Sequence, residues 1–222
     1  MKNDPYQYTA KNRYDEQKVK KYQHRKPARH RAEMRLVTRA FASIPRWHRI
    51  LDVPCGWGRI TAALAQEGYQ ITGADISTAM LAAAQETLDT AQLRCPIEYQ
   101  DIERMTYPDR SFDTIICFRL FHHFPSTALR RRVVRELCRV ADRFVLLSYL
   151  SPFSITSIRR QIRSKLLNTE LTIFTASINE LQGYFLETGF RLVRDFAQMP
   201  YLHTLHLALF QRSESPASHS FQ

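Results

Sequence analysis

From Arg49 onward the chain alternates two kinds of hydrophobic pattern. Short, nearly continuous apolar runs predict buried strands: Arg49 to Cys55, Tyr69 to Ile76, Ile97 to Ile102, Phe112 onward, and Arg143 to Leu150. Between them lie stretches whose apolar residues recur every three or four positions. Ile60, Ala63 and Leu64 form one such stripe, closed by Gly68. Met80, Leu81, Ala84 and Leu88 form the next, with Ser77 as its N-cap. Ser126 opens an arginine-rich helix to about Val140, and Ser177 opens a helix with Ile178, Leu181, Phe185 and Leu186, closed by Gly189. "FRLVRDF" and "LHLALFQR" read as two final strands with no helix between them, an antiparallel pair that ends the sheet. Residues Tyr14 to about Ala42 read as one or two helices broken near Pro27.

Strand–helix alternation with apolar strands predicts an α/β fold, Rossmann-like: seven strands, mostly parallel, helices on both faces, an antiparallel last strand and an N-terminal helical cap. The expected division is a basic cap over 1–45, one catalytic domain over 46–212 with a lid insertion at 151–176, and a disordered tail at 213–222. Two hundred and twenty-two residues suffice for one domain with a full core. No apolar run reaches the roughly 20 residues that span a bilayer, and the N-terminus is too polar for a signal peptide. The expected location is therefore the cytoplasm. Cys55, Cys95, Cys117 and Cys138 are scattered and form no metal-binding spacing, so they are expected as reduced thiols with no metal.

Charge adds one element to this picture. The net charge is +11, concentrated in Lys18 to Arg35, Arg130 to Arg139 and Arg159 to Lys165. Such an excess favours anionic partners: a membrane surface, a phosphorylated substrate or nucleic acid. In "ITSIRRQIRSKLL", Ile155, Ile158, Ile162 and Leu166 share a helical face ringed by basic residues, as expected for a lid helix or a membrane-lying one. Charge leaves RNA open, although no aromatic-rich RNA-binding pattern is present.

The candidate chemistry begins at "ILDVPCGWGRI", where a strand breaks into a glycine turn and then a helix. Gly56 and Gly58 let backbone approach a ligand closely, and the helix start offers free N–H groups. Asp75, about twenty residues on at a strand end, can accept both hydroxyls of a ribose. These features allow either a nicotinamide dinucleotide or S-adenosylmethionine. Thr61 occupies the position of a dinucleotide fingerprint's third glycine. Asp52 before the turn suits a ligand carrying positive charge better than a pyrophosphate. Asp101 with Ile102 could take an adenine edge and face.

"LDVPCGWGRIT", "ITGADISTAML", "IEYQDIERMTYPDRSFDTIICFRLFHHF" and "LQGYFLETGF" resemble, in order, the motifs of class I S-adenosylmethionine-dependent methyltransferases, and within them the small-molecule branch that includes quinone-biosynthesis enzymes. The resemblance runs from about Arg49 to Arg212. It implies S-adenosylmethionine as cofactor and a small, amphiphilic or anionic acceptor. By the same resemblance, Asp52 faces the methionine end, and Cys55, Gly56, Gly58 and Arg59 belong to the cofactor loop. Asp75 holds the ribose, Ile76 packs beside the adenine, Asp101 and Ile102 bind it, and Phe118 and Arg119 lie where cofactor and acceptor meet. Pro54 departs from the usual first glycine; having no N–H, it fits a loop whose contacts come from later residues.

His122 and His123, in the loop after the fourth strand, are the candidates for a general base on the acceptor. The simpler role for each is packing or helix capping. His203 and His206 have no carboxylate or cysteine near them in sequence and read as strand and loop residues. The sequence lacks the Asn/Asp/Ser-Pro-Pro-Tyr/Phe signature of exocyclic-amine methylation after the fourth strand, and it lacks a Pro-Cys nucleophile there. The rival readings are an RNA methyltransferase, a non-catalytic cofactor-binding protein and a nicotinamide-dependent oxidoreductase.

Overall fold

A computed structural model of the chain describes residues 27–154, 173–198 and 204–213. The helix expected before Pro27, the expected lid helix at 155–167, His203 and the expected tail from 214 lie outside the described residues.

The elements are α1 (Pro27–Phe41), β1 (Arg49–Asp52), α2 (Arg59–Gln66), β2 (Gln70–Asp75), α3 (Thr78–Thr90), β3 (Ile97–Tyr99), β4 (Phe112–Cys117), α4 (Thr127–Val140), β5 (Ala141–Leu150), α5 (Ile178–Leu186), β6 (Phe190–Ala197) and β7 (Leu205–Arg212). Pro27 is the first described residue, and the expected break near it falls at the edge of the described residues. Pro27 starts α1, at the position where a missing N–H is harmless. Ser77, Ser126 and Ser177 cap α3, α4 and α5 through their hydroxyls, as their sequence positions predict.

One seven-stranded sheet has the order β3-β2-β1-β4-β5-β7-β6. The pairs from β3 through β5 are parallel, and β7 is antiparallel to both β5 and β6. The last strand thus inserts between β5 and β6, leaving β6 at the edge. Alternation of side chains across the sheet divides the core in two. Leu36, Val37 and Phe41 of α1 and Ile60 and Leu64 of α2 cover one face; Val133, Val134 and Leu137 of α4 and Leu181 and Phe185 of α5 cover the other. Phe185 stacks on Phe210 of β7 with ring centroids 3.6 Å apart.

The arginines of α4 are spent on neighbours. Arg130 is buried and binds Glu180 at 2.7 Å; Arg131 and Arg135 meet Glu187, Arg132 meets Glu103, and Arg139 meets Glu136 and Asp109. No described helix is long and apolar enough to cross a membrane. All four cysteines are free thiols.

Candidate active site

The strand order reverses between β1 and β4, and in open α/β sheets the ligand crevice lies beyond the carboxyl ends of the strands at that reversal. A cavity lies there. Among its walls are Cys55, Gly56 and Arg59 from the turn after β1, Asp75 and Ile76 after β2, Asp101 and Ile102 after β3, and Phe118, Arg119 and His123 after β4. Ten of the predicted site residues therefore share one cavity. Pro54, Trp57, Ile60, Met80, Gln100 and Leu120 also line it, although none of them is among the predicted site residues.

Three predicted residues lie outside the lining. Asp52 is fully buried behind the turn, where its Oδ2 accepts from Thr61 Oγ1 at 2.7 Å. Its Oδ1 is buried and has no hydrogen-bond partner among the described residues. Burial pushes the Asp52 carboxyl up to about 7, against the opposing pull of the Thr61 hydroxyl and the Arg59 charge. Gly58 faces α3: a Cβ there would sit 3.0 Å from Ala84 Cα, and its φ of +80° already disfavours a side chain. Its glycine serves the close approach of two helices. His122 is buried in the single turn Phe121–His123, and its carbonyl accepts from the N–H of Phe174. The two histidine rings stand 4.2 Å apart, yet only His123 reaches the cavity.

Asp75 is held rather than loose. Its Oδ2 accepts from Gly56 N at 3.0 Å and its Oδ1 from Ser77 N at 2.9 Å. The carboxylate thereby ties the glycine turn to the cap of α3 and fixes the cavity floor. Burial raises its pKa, and the backbone donors pull it back. Each oxygen retains acceptor capacity beyond one N–H. Asp101 Oδ1 accepts from Glu103 N at 3.1 Å, stiffening the bend after β3.

Glu33 was missed by the sequence reading. It sits on the buried side of α1, 2% exposed, and contacts Arg59 at 2.6 Å, Arg119 at 3.5 Å and Arg29 at 3.2 Å. Burial pushes Glu33 up, but the charges of Arg59 and Arg119 and the Arg59 hydrogen bond outweigh it and hold the group below its ordinary range. Arg119 has a left-handed backbone at φ 63°, and its N–H donates to Ser148 Oγ at 2.6 Å. Such a conformation is costly for a side-chain-bearing residue and concentrates at binding sites. A glutamate in a basic helix carries no sequence signal of this role; only the docking of α1 onto the sheet creates it.

His206 lies on β7, a strand residue as expected. Asp195, eleven residues earlier on β6, meets its Nδ1 at 2.8 Å and accepts from Tyr149 OH at 2.8 Å. This is a cross-strand polar cluster on β5, β6 and β7. Among the described residues, no group of three or more His, Cys, Asp or Glu could hold a metal.

A turn-bound cavity at the strand reversal, with carboxylates at the ends of β2 and β3 and a seventh strand returning antiparallel, defines the class I methyltransferase fold. Residues 50–143 match the family described as a methyltransferase domain. The chain is similar to the ubiquinone biosynthesis O-methyltransferase of Coxiella burnetii, 38% identical over 76 residues, which are 34% of this chain and 32% of that protein. It is also similar to the 27-O-demethylrifamycin SV methyltransferase of Amycolatopsis mediterranei, 28% identical over 71% of this chain and 60% of that protein. The chain thus matches about a third of the first relative's length. Its fold is similar to the magnesium protoporphyrin IX methyltransferase of Synechocystis, solved with bound S-adenosylhomocysteine: TM-score 0.71, 20% identity, 83% of each chain covered.

Proposed function

We propose that this protein transfers the methyl group of S-adenosylmethionine to an oxygen of a small-molecule acceptor. The observation that carries the reading is the convergence of Gly56, Asp75, Ile76, Asp101 and Ile102 on one cavity wall, together with the orphaned buried oxygen of Asp52 behind the turn. The donor set fits the cofactor. Carboxylates at two strand ends supply acceptors for ribose hydroxyls and an adenine amine, and Ile76, Ile102 and Met80 supply apolar cover. Asp52 meets the demand of a cationic ligand for a negative group near the turn. The two relatives named as O-methyltransferases support oxygen as the acceptor atom.

When bound, S-adenosylmethionine supplies a methyl group already activated by the sulfonium. What remains for the chain is to hold both reactants in line and keep water out. Phe118, Leu120 and Ile60 add to the apolar part of the wall. Arg59, packed with its guanidinium 5.5 Å from the Phe118 ring centre, and Arg119 put positive charge beside it. An acceptor hydroxyl must also lose its proton, and His123 is the histidine on the cavity wall able to take it. Positive charge at Arg59 and Arg119 suits an acceptor bearing a carboxylate or a phosphate.

The test is a thermal-shift comparison of S-adenosylhomocysteine with NAD, followed by tritiated methyl transfer into extracts fractionated by class. Stabilisation by S-adenosylhomocysteine and label in the small-molecule fraction are expected. Stabilisation by NAD alone, or label confined to RNA, overturns the reading.

A further inference from the structure

The triad of Glu33, Arg59 and Arg119 has an electrostatic consequence for the cavity. Arg59 and Arg119 line it, with side chains only 12% and 11% exposed, and both meet the same carboxylate. Glu33 itself does not line the cavity and is shielded from water. Its negative charge therefore acts on the cavity through a poorly screened path, whatever it touches directly. From this geometry we infer that Glu33 sets the site's preference for a sulfonium cofactor over its thioether product, by offsetting the positive charge that Arg59 and Arg119 bring to the wall. The inference rests on the S-adenosylmethionine reading above.

The reasoning uses a property of the ligand pair. S-adenosylmethionine and S-adenosylhomocysteine share ribose, adenine, ammonium and carboxylate; they differ by one methyl group and by one positive charge at sulfur. Contacts common to both cancel in the ratio of their affinities. A mutation that only loosens the fold or the docking of α1 weakens both ligands equally and leaves the ratio unchanged. A mutation that makes the cavity more positive weakens the sulfonium more than the thioether. Glu33 gives the second result only if its charge reaches the ligand. An enzyme that favours its charged substrate over its neutral product also releases product more readily, so the residue bears on turnover as well as on binding.

Isothermal titration calorimetry on the full chain tests this. In Glu33→Gln, the ratio of S-adenosylmethionine to S-adenosylhomocysteine affinity should fall on the order of tenfold, the effect of one unit charge across a separation of roughly 10 Å at an effective dielectric constant near 20. Glu33→Asp should restore most of the ratio. Arg119→Gln, which removes a positive charge instead, should raise the ratio, and this arm decides the question even where Glu33→Gln fails to fold. Equal losses for both ligands in Glu33→Gln, or a ratio unmoved or lowered in Arg119→Gln, overturn the inference while leaving the cofactor reading intact. A wild-type protein that binds neither ligand overturns both.

Discussion

Asp52→Asn separates the fold's interest from the site's. The wild-type carboxyl is fully buried, bonded by Thr61 on one oxygen and by no described group on the other. Burial raises its pKa from 3.8 to about 7. Below pH 3.8 the group is protonated in both folded and unfolded chains, and no cost arises. As the pH rises, the unfolded chain ionises while the folded one keeps its proton, so stability falls until the folded group also ionises near pH 7. The gap corresponds to about 4 kcal/mol at full ionisation. Asparagine keeps an oxygen for Thr61 and has nothing to titrate. The stability of Asp52→Asn relative to wild type should therefore grow by about 4 kcal/mol between about pH 4 and about pH 8. Urea unfolding of both proteins across that range measures it, and titrating groups far from Asp52 cancel in the comparison. Parallel pH profiles for the two proteins would refute the reasoning. On the proposed function, the same variant loses affinity for S-adenosylhomocysteine, a gain in stability exchanged for a loss at the site.

Other outcomes follow from the same structure. Gly58→Ala places a Cβ 3.0 Å from Ala84 Cα at a φ of +80°, and should cost about 2 kcal/mol by chemical denaturation through backbone strain and helix displacement; an unchanged midpoint contradicts the packing role. Phe210→Ala removes the ring stacked on Phe185 in the sealed core, with a loss of roughly 3–5 kcal/mol. His123→Gln should lower tritiated methyl transfer roughly a hundredfold while S-adenosylhomocysteine affinity stays within about twofold; His122→Gln, altering a residue off the cavity wall, should move stability more than transfer. Equal effects of the two substitutions on transfer would remove His123 as the base.

The strands, their order of appearance and the capping serines were legible in the sequence because each depends on neighbours along the chain. A run such as "FDTIIC" is apolar whichever strand it pairs with, and Ser77 caps α3 using a donor three residues away. β3 is shorter than its apolar pattern predicts. It stops at Tyr99, and Asp101 turns back to bridge Arg104, a bend local chemistry did not announce. Motif order located the cavity wall for the same reason: each motif ends its own strand, and parallel strands bring those ends to one side of the sheet.

The sequence alone could not supply what depends on residues far apart meeting in space. The charge excess along α1 and α4 read as an offer to anionic partners. Folding pairs the α4 arginines with glutamates and aspartates from other elements and buries Glu33 between arginines that follow β1 and β4. His122 and His123 are adjacent letters with equal prospects until a single tight turn sends one into the core and the other to the cavity. Tyr149 is remote from Asp195 and His206 until β7 inserts between β5 and β6. Periodicity and caps are local interactions, so they are written residue by residue; the charge of a cavity is a sum over elements, and exists only once the chain has closed around it.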